Sequence, residues 1–306
     1  MLGRADSDAT RGSVVPMMRV DMRLGAARSA CGAALAICVT FFAGCGSEHP
    51  DGNAAMIDLK PIETSATVGD WHAVSGLKIA FGHQSVGADV IDGIELLARE
   101  TGVPMSIKAT RNPLSAPALH HFAIGENGAP DSKLLDFSGS IAETIGGSAD
   151  VAFMKLCYVD FNGTTDANEL ARKYISTLES LSLQFPNTTF VALTAPLTTV
   201  QSGPKALVKK LLGRHPAGYE GNASRKVFND AVRSRYGDSN RLFDIAAIES
   251  GFGRHRIEYD GKLVEVLDPA LTYDGGHLND RGKRLVAGAL VHHLAAFSLP
   301  TPAGEP

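Results

Sequence analysis

One tryptophan, four cysteines and no excess of base are what this 306-residue chain has least of. With 29 basic against 33 acidic residues it has a formal net charge of −4, which offers no field for nucleic acid. Charged residues at 20% beside 44% hydrophobic ones exclude a disordered polymer, and 32 glycines with 15 prolines are too few for a collagen-like or low-complexity chain. No apolar run reaches the ~20 residues of a membrane-spanning helix. Three of the cysteines, Cys31, Cys38 and Cys45, lie before residue 46, so Cys157 is the only one in the remainder. A disulfide framework or a cysteine-based metal site is thereby excluded for that remainder.

The cysteine-rich start reads as an export signal. Arg19, Arg23 and Arg28 precede a small and apolar stretch from Ala30 to Phe42, and Phe42-Ala43-Gly44-Cys45 follows. The four residues resemble a bacterial lipobox. That resemblance implies cleavage after residue 44, a lipid-anchored Cys45 as the mature N-terminus, and a place in the cell envelope. The alternative is an ordinary signal peptide with a chance cysteine. Residues 1–44 carry five arginines and three aspartates, which leaves −6 on the remainder. Residues 45–75 are polar and fit a flexible tether, 76–298 a single domain, and 299–306 a disordered tail.

Within that domain apolar runs alternate with helical patterns. Strand-like segments are Leu77–Phe81, Met105–Ala109, Ala149–Leu156, Thr188–Thr194 and Arg241–Ile245. Helical spacing marks Val86–Glu100, Ser132–Ile145, Thr165–Ser182, Asn222–Tyr236 and Asn279–Phe297. Glu258–Val266 reads as a hairpin about Asp260-Gly261. Such alternation predicts a three-layer α/β/α domain around a mainly parallel, flavodoxin-like sheet of about five strands, whose ligand site lies at the carboxyl ends of the strands.

Two segments at those ends carry chemistry. Gly82-His83-Gln84-Ser85-Val86-Gly87 links the first strand to a helix. There Ser85 either caps the helix or presents a nucleophilic hydroxyl, its own N–H facing a developing oxyanion. Asp274-Gly275-Gly276-His277 opens the last helix, at the spacing with which an aspartate can orient a catalytic imidazole. His83 and Asp160 are candidates to line the pocket. Adjacent histidines at 120–121 and 292–293, taken as helical, point about 100° apart and lack a carboxylate at ligand spacing, so no metal site is expected. Ser202-Gly-Pro-Lys205 has the Ser-x-x-Lys spacing, but Pro204 places it in a loop. Lys205, Lys209, Lys210 and Arg214 form a basic patch, either a solvated face or a lid or contact to an anionic envelope polymer.

The order of these segments resembles that of the SGNH (GDSL-type) hydrolases from Lys78 to about Ala295. The resemblance implies Ser85 as nucleophile with Asp274 and His277 as its partners. It further implies an oxyanion hole from the N–H groups of Ser85 and Gly128, with Gly125 as competitor. The family's third block maps to Cys157-Tyr158-Val159-Asp160, where valine stands in place of the oxyanion asparagine. Either Asn162 supplies that amide or the hole keeps two backbone donors. The literal Gly237-Asp238-Ser239 falls between a helix and a strand, on the wrong side of the sheet. The implied activity is ester hydrolysis without a cofactor, on O-acyl groups of carbohydrate or cell-wall polymers. A binding protein with impaired oxyanion stabilisation is the alternative.

Overall fold

The computed structural model describes residues 65–298, which fall within one compact unit, Met56–Pro306. The expected signal, Cys45, the start of the tether and the 299–306 tail lie outside the described residues. In chain order the main elements are α1 (Val68–Ser75), β1 (Lys78–His83), α2 (Val86–Thr101), β2 (Ile107–Ala109), β3 (Ala118–Ala123), α3 (Pro130–Ser140), β4 (Val151–Met154), α4 (Ala167–Gln184), β5 (Thr189–Leu193), α5 (Pro204–Leu211), α6 (Tyr219–Tyr236), β6 (Leu242–Phe243), α7 (Ile245–Glu249), β7 (Arg256–Tyr259), β8 (Lys262–Glu265) and α8 (Asp280–Ala295). The sheet has six strands in the order β2-β3-β1-β4-β5-β6, every pairing parallel.

Period-two alternation explains how three layers form. Ile79, Phe81, Val151, Phe153, Val191 and Leu193 face a core built with Trp71 of α1, Val90 of α2 and Val286 and Leu290 of α8. Their neighbours Ala80, Ala152, Met154, Phe190 and Ala192 face the opposite core, with Phe137 of α3, Tyr174 of α4 and Phe228 of α6. Both faces being covered, the central strands read as continuous apolar runs, as parallel strands do.

Three expectations are corrected. The sixth strand, β3, carries His120 and His121, so these histidines are not helical; they occupy alternate faces of a strand paired with β1 through Ala80 and Phe81. The tether does not reach residue 75: Thr67 and Asp70 form a capping box, and Trp71 and Val74 of α1 are buried. Pro204 does not break a helix but opens one, its missing N–H costing nothing in a first turn. The hairpin is β7–β8, with Asp260 and Gly261 both at positive φ (49° and 70°) in the two-residue turn.

β1 lies between β3 and β4, the chain crossing from one side of β1 to the other. The crevice beyond the ends of β1 and β4 is therefore the switch point, where ligands of such sheets bind. Ser85 follows β1 there, and Tyr158 follows β4.

Candidate active site

Ser85 does not cap α2. Its backbone sits at φ 49°, ψ −114°, a region that costs a non-glycine residue about 1–3 kcal/mol, and its side chain makes no capping hydrogen bond. Instead Ser85 Oγ lies 2.6 Å from His277 Nε2. The turn is held by Gln84, whose Nε2 donates to the carbonyls of Ile124 (3.0 Å) and Gly125 (2.6 Å). Gly87 is needed beneath it, since a Cβ there would stand 2.4 Å from His83 Cβ. Among the described residues no acceptor takes the N–H of Ser85 or Val86 at the start of α2.

His277 is fixed from its own loop. Asp274 Oδ1 accepts the N–H groups of Gly276 (2.9 Å) and His277 (2.8 Å), and Asp274 Oδ2 lies 2.7 Å from His277 Nδ1. Burial pushes the Asp274 carboxyl upward, but the donors from His277 and Gly276 outweigh it and hold the group at about 2. An anionic Asp274 fixes the proton on Nδ1 and leaves Nε2 to accept from the Ser85 hydroxyl. Thr272 Oγ1 donates to the His277 carbonyl (2.6 Å), and the Leu278 N–H donates to Asp89 on α2 (3.1 Å), tying the loop to the helix that starts after Ser85. Asn279 then caps α8 through the Gly282 N–H (3.0 Å). The side chains of His277 and Asp274 are 30% and 42% exposed, so the site is open.

The two glycine donors are engaged elsewhere, and Asn162 lies in a separate groove. Gly128 N–H donates to Asp160 Oδ1 (2.9 Å), and Gly125 N–H to Asp136 Oδ2 (2.8 Å), so neither is available to an oxyanion. Asn162 forms a local turn, its Oδ1 accepting from Thr164 N (2.8 Å) and Oγ1 (2.7 Å). It borders a groove shared with Glu220, Lys226 and Tyr259, apart from Ser85 and His277. Asp160 lines no pocket: it is buried, paired with Lys133 Nζ (2.7 Å), and also takes the Cys157 N–H (2.6 Å). His83 is likewise buried under α2, its Nε2 3.0 Å from His121 Nδ1. Burial first, then the His121 and Lys155 charges, depress it to about 3, so it is neutral. Cys157 is buried beneath the Ser85 turn, with Sγ 3.7 Å from the Gln84 carbonyl. Ser239 bonds back to the Tyr236 carbonyl (2.8 Å) at the end of α6 and takes no part. No cluster of potential metal ligands occurs among the described residues.

Tyr158 is the residue that sequence reasoning missed. Its hydroxyl lies 3.4 Å from His277 Nδ1, and its ring meets the imidazole edge-on at 5.6 Å. A Cβ at residue 276 would stand 2.7 Å from Tyr158 Cζ, which explains the second glycine of Asp274-Gly-Gly-His277. The buried guanidinium of Arg225 holds the Tyr158 carbonyl (2.8 Å). That close-packed glycine, one loop away from a tyrosine beside the third block, was the available signal. Tyr273, 69% exposed, lies nearly parallel to the His277 ring at 6.0 Å and forms the outer lip.

No family model and no curated protein matches the chain. Solved structures do. One, described as a GDSL-like lipase from Parabacteroides merdae ATCC 43184, is 12% identical, with 72% of this chain and 96% of that one covered at a TM-score of 0.42. Another, described as a lipolytic protein of the G-D-S-L family from Desulfitobacterium hafniense DCB-2, is 8% identical, with 70% and 97% covered at 0.41. A carbohydrate acetylesterase from Sinorhizobium meliloti is 13% identical, with 58% and 79% covered at 0.34. The likeness is one of distant shape, and the chemistry rests on Ser85, His277 and Asp274.

Proposed function

We propose that the chain is a serine esterase of the SGNH type. The observation that carries this is one line of contacts: Ser85 Oγ at 2.6 Å from His277 Nε2, and His277 Nδ1 at 2.7 Å from Asp274. Ser85 attacks the acyl carbon as His277 takes its proton. The tetrahedral intermediate then collapses, the alcohol leaves with the proton from His277, and an acyl-Ser85 ester remains. Water activated by the same imidazole attacks that ester and regenerates the hydroxyl. The N–H groups of Ser85 and Val86 face the developing oxyanion, where the start of α2 adds its partial positive charge.

The open mouth, with the exposed Tyr273 at its lip, suits an O-acyl group carried on a bulky carbohydrate or cell-wall polymer better than one enclosed in a deep pocket. An exported, Cys45-anchored protein facing the envelope completes the proposal; it rests on the Phe-Ala-Gly-Cys45 segment alone. The second reading, a binding lipoprotein without turnover, draws on the engagement of the Gly125 and Gly128 N–H groups by other partners.

Hydrolysis of short-chain acyl nitrophenyl esters by the Met56–Pro306 unit, with Ser85→Ala as control, separates the two. That unit contains both hydrophobic cores in full. Turnover that Ser85→Ala abolishes is expected. Turnover that survives the substitution would remove Ser85 from the mechanism, and absence of turnover across acyl lengths would favour the binding protein.

A further inference from the structure

Segment 201–219 holds four basic residues and no acidic one, in a chain that is acidic overall. Its helix, α5, is also unusual in what it leaves uncovered. Leu207 (60%), Val208 (54%), Leu211 (78%) and, just past the helix, Leu212 (68%) are exposed. At about 100° per residue these four span one contiguous sector, and the buried Ala206 lies roughly opposite its centre. The helix thus docks on the domain through its small residue and turns its large aliphatic side chains outward. Lys205 borders that sector and the exposed Arg214 follows it, while Lys209 turns back toward the base and donates to Gln201 Oε1 (2.8 Å). A patch of this kind reaches the few hundred Å² that marks interaction surfaces.

We infer that α5 with Leu212 is an interfacial element that seats the domain on an anionic bilayer. The four aliphatic side chains enter between the headgroups, and Lys205 and Arg214 meet the phosphates. Charge selects this occupant: in a two-fold contact between copies the same cations would face one another with no acidic residue of the segment to pair them. The mounting gives the element a use. The Gln201 N–H donates to the Ala217 carbonyl (2.9 Å), closing the excursion at its base, and the Thr199 N–H donates to the Gly275 carbonyl (2.8 Å) in the loop that carries His277. A surface that holds α5 is therefore brought to the rim of the candidate active site. The inference requires neither ester hydrolysis nor a lipid on Cys45.

The test is co-sedimentation of the Met56–Pro306 unit, which lacks Cys45, with vesicles of phosphatidylcholine alone or with roughly one-third phosphatidylglycerol. Binding at low salt should be at least about tenfold stronger to the anionic vesicles and should lose that preference at ~1 M salt. Leu211→Ser with Leu212→Ser should weaken binding about tenfold or more. Lys205→Glu with Arg214→Glu should abolish the anionic preference. All four side chains, Leu211, Leu212, Lys205 and Arg214, are exposed, and an unchanged melting temperature verifies that each variant is folded. Equal binding to both vesicles, binding insensitive to either pair, or no vesicle binding with self-association that the leucine pair abolishes would each overturn the inference. Ser85→Ala is expected to bind vesicles normally, which separates failure here from failure of the esterase proposal.

Discussion

The two sides of the candidate site were assembled by different means. On the proton-relay side, Asp274 and His277 lie three residues apart, and one loop supplies the carboxylate, the imidazole and the backbone donors that fix them. On the oxyanion side, the loop at 125–130 and the turn at 157–162 are bound to one another instead of to the site. Asp160 accepts from Gly128, Cys157 and Lys133 together. A short-range device can be kept whole while its neighbour is rewired. Here the carboxylate at the end of β4 has become a structural hub, and the donors around it are turned inward. In the proposed mechanism, what is left for an oxyanion comes from the start of α2, the element that follows Ser85.

Breaking each side should give different readouts. Ser85→Ala should lower kcat/KM for a short acyl ester by ~10⁴-fold or more with the melting temperature unchanged, since members of a triad act as a unit. Asp160→Asn should do the reverse. It leaves the wholly buried Lys133 without its counter-charge, which costs roughly 3–5 kcal/mol of stability. In a domain of this size that corresponds to a melting temperature lower by about 6–20 °C. A normal melting temperature in Asp160→Asn would show that the hub carries no stability, and the contrast between the two sides would fail.

Glu249 tests the support beneath the site. It is wholly buried on α7, accepts only the Leu197 N–H (2.6 Å) through Oε2, and has no partner among the described residues at Oε1. Burial pushes its carboxyl up to about 8, against the downward pull of that N–H and of the Lys155 and Arg225 charges. The native state therefore keeps a proton that the unfolded chain releases above pH ~4.5. Stability from this group is fully present below that value and declines as pH rises toward 8. Glu249→Gln, which keeps the neutral shape, should melt like the parent at pH ~4 and above it at pH ~8. Equal melting curves across that range would show that the carboxyl ionises in the fold.

Legibility followed the range of the interactions. β1, α2, β4, α4 and α8 were readable because their apolar spacing is local, and Asp274-x-x-His277 because its partners are three residues apart. β3 was not: Ala118-Leu-His-His-Phe-Ala123 carries two histidines where a buried strand is expected to be aliphatic. His121 is accommodated by stacking on His83, 38 residues earlier. α1 was hidden by its polar sequence, although the Thr67-x-x-Asp70 box ahead of Trp71 was a usable signal. The oxyanion side was illegible because Gly128 meets Asp160 across 32 residues, and no spacing rule states which acceptor a loop N–H will find.

Tyr158 sharpens the comparison from the middle, since its hydroxyl reaches the Nδ1 edge of His277. Burial raises its phenol further above the usual value, so it remains a neutral hydroxyl through the physiological range. Tyr158→Phe keeps the ring against His277 and removes one hydrogen bond. It should lower kcat by about tenfold, with KM and melting temperature nearly unchanged, as expected for a contact that strengthens in the transition state. A loss confined to KM would move the hydroxyl from the reacting atoms to substrate binding.

The smallest effect is expected at Asn162, the residue that spacing alone made a candidate for the missing amide. Its Oδ1 is held by Thr164, in a groove bordered by Tyr259 and Glu220. Removing a working oxyanion donor costs ~10²–10³ in kcat. Removing Asn162 should cost only the local turn, so Asn162→Ala should stay within about twofold of the parent in kcat/KM and lose no more than ~1 kcal/mol of stability. A hundredfold loss in kcat would instead mean that the 162–165 turn opens when substrate binds. The oxyanion side would then be completed by the substrate and not by α2 alone.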